Sequence, residues 1–243
     1  MATIAGTPRG ALPAAVQDER RFYLRMAIAL ALIVLAGFGG YILAGISSFA
    51  APWWVHFHAV VYMGWIVLYL GQNLMVVRGD MAVHRRVGAL LAGWSLLMVV
   101  LGFAIMELSI AAGRAPPPVF TAPFLLAMDG VNVLVFAGLV WAGLALRHRS
   151  DWHRRLMLCA TISIIAPGIG RLTVLTVGFS WPLIVALQLG LVAIAAAYDW
   201  RRRGAVHPAL LCGAAAIAAT GVLAVVLADV RMVVDHAAAL QAG

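Results

Sequence analysis

Asp129 and Arg171 lie inside two of the most apolar stretches of the chain, "PFLLAMDGVNVLVFAGLVWAGLAL" and "LMLCATISIIAPGIGRLTVLTVGF". A charge held in hydrocarbon costs roughly 2.5–3.5 kcal/mol on insertion scales, so such residues mark a functional site by default. His58 and Glu107 sit in two further apolar runs. At about 1.5 Å per helical residue, His58 falls about 8 Å below the outer boundary, Glu107 about 6 Å, Asp129 about 11 Å and Arg171 about 9 Å. Four ionisable groups, scattered in sequence, thus share one layer. Asn132 is one turn deeper than Asp129 on the same helical face. His56, Gln188 and Asp229 lie near this level too. If the helices turn these faces together, the result is an outward-opening polar pocket.

The residue types leave three readings open. Asp129 and Arg171 can form a buried ion pair that only fixes helix register. Alternatively, His58, Asp129 and Glu107 supply nitrogen and oxygen ligands suited to zinc, copper or iron. Arg171 and Asn132 would then serve as counter-ion or hold an anionic substrate group. Thirdly, the carboxylates can relay protons or bind an ion during transport. Within "HFH", positions i and i+2 point to different sides of a helix, so the spacing alone says little about metal.

Two further patterns bear on a ligand. His58, Tyr62, Trp65, Tyr69 and Gln72 recur at steps of four and three, forming one stripe across the membrane. Aromatic residues at this spacing usually make packing surface. A stripe with polar tips can also line a cavity for a quinone or a porphyrin edge. His84 and His153 each precede two arginines in the basic connections. They are either ordinary members of basic loops or axial ligands of a haem whose propionates meet the arginines.

The elements that position these groups follow from composition. Of 243 residues 64% are hydrophobic and 11% charged, against about 25% charged in soluble domains. Seven apolar runs, 22–46, 53–77, 87–111, 121–146, 156–177, 181–199 and 208–229, approach the ~20 residues that a helix needs to span a bilayer. None alternates as a barrel strand does, which leaves helices. The expected fold is all-α and integral to the membrane, with seven transmembrane helices over 22–229. A cytoplasmic N-terminal segment covers 1–21 and a periplasmic tail covers 230–243.

Orientation comes from arginine, since the chain has no lysine. Fourteen of 17 arginines fall at or near the N-terminus or in the connections at 78–86, 147–155 and 201–203. By the positive-inside rule the N-terminus is cytoplasmic, the C-terminus periplasmic and the location a bacterial inner membrane. The net charge of +8 thus reports topology and contact with anionic lipid, and not nucleic acid. The first apolar run is too long for a signal-peptide core, so it reads as a retained helix. Cys159 and Cys212 have no partner motif and read as small apolar fillers. Retinal chemistry needs a lysine, and phosphate-cradling, G-x-S-x-G and H-E-x-x-H motifs are missing. The Pro-rich "GRAPPPVFTAP" is expected to lie along the membrane surface, and Pro167 with Gly168 and Gly170 to bend the fifth helix beside Arg171. "VVRGDMAVHRRVG" and "ALRHRSDWHRRLM" share a pattern that suggests two related hairpins, helices two–three and four–five.

The run "VHFHAVVYMGWIVLYLGQNLMVVRGDMAVHRRVG" with "WHRRLMLCATI" resembles an uncharacterised family of bacterial multi-pass inner-membrane proteins. More distantly it resembles cytochrome b561-type proteins and membrane factors for cytochrome oxidase maturation. The b561 resemblance implies haem ligation by histidines on four successive helices. His58, His84 and His153 match three of these positions, and the acidic end of helix four near Asp129 replaces the fourth. The combined expectation is an outward-facing His/carboxylate pocket that binds a metal or haem in a redox or cofactor-assembly role, with a respiratory-chain or membrane-enzyme partner. A metal-dependent membrane hydrolase, and a proton-coupled transporter or accessory subunit, are the alternatives.

Overall fold

The computed structural model describes residues 13–47, 49–114 and 121–242. Arg9 and, in the expected surface loop, Pro116, Pro117 and Pro118 lie outside the described residues. All regular structure among the described residues is helical. The helices are α1 (Ala14–Leu43), α2 (Trp53–Arg78), α3 (Met81–Ala111), α4 (Ala122–Ala145), α5 (Ser150–Ile164), α6 (Ala166–Thr176), α7 (Trp181–Arg203), α8 (Pro208–Ala228) and α9 (Arg231–Ala242). Six are long and apolar enough to cross a membrane. α5 and α6 together make a seventh crossing if the pair, bent by 45°, counts as one span. The protein is a multi-pass helical membrane protein.

Local chemistry sets the ends. Gly79 and Gly204 close α2 and α7 with φ of 85° and 70°, a left-handed conformation that only glycine adopts without steric cost. Thr121 and Ser180 cap α4 and α7 through their hydroxyls, each followed by a proline in the first turn. α4 forms the centre of the bundle, touching α3, α5, α8 and α9. Of its apolar window 61% is buried, against 28% or 33% for the other spans. α1 crosses α6 where Gly37 meets the backbone of Gly168. A methyl group on Gly37 would collide with the Gly168 carbonyl, so only small residues allow this approach. On the far side of α5, Cys159 is fully buried against Gly213 of α8, as expected of a filler. Cys212 is exposed.

Helical structure extends into both expected boundary segments. Helix α1 starts at Ala14, inside the segment 1–21 expected to precede the membrane domain. The reason is an ion network at the arginine-rich end. Arg155 is fully buried and donates from Nε to Asp199 Oδ2 at 2.8 Å, from Nη2 to Asp199 Oδ1, and from Nη1 to the Asp151 carbonyl at 2.8 Å. Glu19 of α1 accepts from Arg154 at 2.9 Å and Arg203 at 2.7 Å, and Asp18 from Arg202 at 2.7 Å. Arg20 and Gln17 donate to the last carbonyls of α2, Val76 and Val77. His207 caps α8 through Nδ1 and meets Asp151 at 3.0 Å. Four of the nine acidic residues are engaged here.

The stretch 230–243, expected to be a tail, contains α9. Val233, Ala237 and Leu240 close over Met106, Ile110, Ala122, Leu125 and Leu126 of α3 and α4. Its apolar side has somewhere to go, which is why it folds back.

Removing one partner of a fully buried pair leaves an uncompensated charge and costs about 3–5 kcal/mol. Asp199→Ala is expected to destabilise the purified protein by that amount in denaturant titration. Asp199→Leu combined with Arg155→Met should recover much of the loss.

Candidate functional site

A cavity of about 490 Å³ opens between α1, α2, α3, α4, α6 and α7, within the range of small-molecule sites. It lies at the end of the bundle away from the arginine-rich connections, since the outer helix residues Tyr41, Val55 and Trp181 line it. Most of the wall is apolar, with Val34, Ile66, Val133 and Ile184 among its members. Tyr41, His58, Tyr62, Asp129, Asn132, Arg171 and Trp181 carry its polar groups. The layer inferred from depth along the helices therefore does converge, for three of its four ionisable residues.

Arg171 comes to the cavity because α5 breaks. Pro167 has no N–H to give to Ser163, and the chain turns at Ile165 before resuming as α6. Gln188 of α7 covers the break, its amide nitrogen donating to the carbonyls of Ile162 at 2.8 Å and Ser163 at 2.9 Å. The carbonyls freed by the expected bend thus belong to Gln188, which lies in the core rather than in the polar layer. A lone glutamine in "WPLIVALQLGLVAIAAAY", set beside a proline kink in the preceding span, was the available signal. Among the described residues the guanidinium of Arg171 hydrogen-bonds only the Pro167 carbonyl, at 2.9 Å. It lies over the rings of Phe38 at 4.0 Å and Tyr41 at 5.3 Å, which favours a weakly hydrated planar cation.

Asp129 and Arg171 feel each other's charge. They do not form the register-fixing ion pair, because ion pairs within 4.0 Å among the described residues do not include them. Asp129 has no hydrogen-bond partner among the described residues, and its side chain borders the cavity. The His58 and Tyr62 rings lie 4.1 Å apart between centroids, tilted by 30°, and His58 Nδ1 is buried without a partner among the described residues. The Tyr62 hydroxyl donates to the Met98 carbonyl at 2.8 Å.

Glu107 is not in this group. It is half exposed and faces His236 of α9 at 3.4 Å, because α9 covers the neighbouring face of α3. The expected ligand set of His58, Asp129 and Glu107 is thereby reduced to two donors. Among the described residues no three His, Cys, Asp or Glu side chains are placed to hold a metal ion. The lower stripe of α2 is core, and does not line the cavity. Trp65 packs edge-on against Phe136 at 5.0 Å and donates to Thr161 Oγ1 at 3.3 Å. Tyr69 and Gln72 are buried beyond it. The helix needs that face to pack against α4 and α5, so aromatic packing outcompetes ligand lining there.

His84 and His153 do meet, at the opposite end of the bundle. Their rings are nearly perpendicular, with centroids 6.4 Å apart. His153 Nδ1 bonds to the Gly143 carbonyl at 2.8 Å, whereas His84 Nδ1 is buried without a partner. Comparison with protein-family models, curated proteins and solved structures returns no match, so the site is read from its chemistry.

In a background with Cys159 and Cys212 replaced by alanine, a cysteine at Asp129 is expected to react with a small water-soluble thiol reagent. A cysteine at the fully buried Ile162 should stay protected. Equal protection at both positions would mean that water does not reach the cavity.

Proposed function

We propose that this protein binds a lipid-soluble small molecule by its polar head in an outward-facing cavity, in a redox or cofactor-assembly role. The observation that carries this reading is the cavity itself. Seven side chains able to hydrogen-bond, from five helices, line a mostly apolar chamber of about 490 Å³, the composition expected of a site for an amphiphile. The arginine asymmetry supports an inner-membrane orientation with the N-terminus cytoplasmic and the cavity open toward the periplasm. A quinone-like head would find donors in Arg171 and Asn132 and a ring face in His58 or Tyr62.

The donor set argues against a metal in this cavity. His58 and Asp129 fall short of the three protein ligands of a catalytic zinc site. The buried Nδ1 of His58 also lacks the acceptor that normally orients a ligating imidazole. The hydrolase reading loses its catalyst with that set. A proton-coupled carrier would use the same cavity, with Asp129 as its titrating group.

A second reading keeps haem at the inner end. His84 and His153 would be its axial ligands, and the His153 Nδ1 to Gly143 bond leaves Nε2 free to ligate. Haem there would supply one-electron chemistry.

Mass analysis and absorption of the detergent-purified protein separate these readings. A co-purifying lipophile that is lost in Arg171→Gln, with no Soret band, is the expected result. A Soret band removed by His153→Ala would establish the second reading. A sample with neither lipophile nor pigment would leave the carrier.

A further inference from the structure

Resting on the ligand-binding reading above, we infer the chemical class of the head group. The cavity takes a singly charged amphiphilic carboxylic acid with a hydroxyl or N–H donor on the adjacent carbon.

The argument starts from unmatched hydrogen-bonding capacity. A guanidinium has five N–H donors and no acceptor, and an ionised carboxylate only accepts. Arg171 uses one nitrogen, on the Pro167 carbonyl, and its ring contacts are to one side. The residue lines a chamber whose walls are mostly side-chain carbon. Asp129 lines the same chamber with no donor satisfying it among the described residues. Water can reach both groups, and each gains from a ligand that replaces that water with charge-matched hydrogen bonds. The protein does not close one on the other.

A ligand can serve both at once. A carboxylate presents two oxygens that match the guanidinium fork, the strongest neutralising geometry open to Arg171. A doubly charged phosphate would exceed the single cation that the cavity offers, and the surplus charge would sit in hydrocarbon. A plain carboxylate would still face Asp129 as a like charge with no donor between them. A hydroxyl or N–H one carbon away supplies that donor and bridges the gap. The remaining volume, walled by Val34, Ile66, Val133 and Ile184, suits a short alkyl tail. His58, tilted against Tyr62, flanks the head.

The test uses the full chain in lipid nanodiscs, with isotope-labelled 2-hydroxydecanoate as probe and empty nanodiscs subtracted. Decanoate, decan-1-ol and decyl-benzoquinone serve as competitors. The expected order is 2-hydroxydecanoate tightest, decanoate weaker, and the alcohol weaker than the hydroxy acid by about tenfold or more, as a lost charge-assisted contact implies. Arg171→Lys should weaken both acids, because the bidentate fork is gone while the charge stays. Asp129→Asn should remove the advantage of the hydroxy acid over decanoate. An alcohol that competes as well as the acids overturns the inference. If the quinone binds and neither acid does, the inference falls while the ligand-binding reading stands. If no probe binds and no lipophile co-purifies, both fall.

Discussion

Hydrocarbon offers no hydrogen bonds, and this one constraint orders the whole molecule. Each polar group carried into the bilayer must find its partner within the protein. The helices satisfy their own backbones, except at the break after Ile164, where the Gln188 amide takes over two carbonyls. At the basic end, Arg155 finds Asp199, and Glu19 gathers three arginines. The Trp65 and Trp94 indoles reach a hydroxyl and a carbonyl on neighbouring helices. Several buried polar atoms stay unmatched among the described residues, the His58 and His84 Nδ1 atoms among them. The cationic fork and the carboxylate that share one chamber differ from these in bearing charge.

The broken span has a dual role. Its proline frees backbone acceptors, and its second half leans by 45° so that Arg171 projects over Phe38 and Tyr41 of α1. A straight helix would keep the same residue type at the same depth but on a different heading. The glycine contact between α1 and α6 then holds the leaning half in place. Bend, cap and backbone crossing act together on one guanidinium.

Much of this was legible in the sequence. Hydropathy alone marks seven apolar runs, and residue counting along them places His58, Asp129 and Arg171 at one level. Depth is a one-dimensional quantity, so a helix rise suffices to find it. Azimuth is not, and there the sequence reading failed. Glu107 shares the level but faces α9, and Trp65, Tyr69 and Gln72 share a stripe with His58 yet turn into the core. The acidic partners of the basic loops were missed for a related reason. Asp18, Glu19 and Asp199 look like unremarkable boundary residues until α1, α5 and α7 are brought side by side. The terminal α9 escaped because a short amphipathic segment is indistinguishable from a polar tail until the surface it covers is known.

The network around Arg155 has a consequence for biogenesis. Its partners come from the beginning and from the far end of the polypeptide: Glu19 opens the first span, and Asp199 ends α7. Asp199 follows Arg155 by 44 residues, so Arg155 leaves the ribosome and reaches the bilayer boundary ahead of it. During that interval the nascent intermediate carries an unneutralised cation at the boundary, shielded only by Glu19. Assembly of the bundle is therefore tied to the arrival of a late segment, and a chain stalled before Asp199 would present quality-control proteases with an open, charged seam.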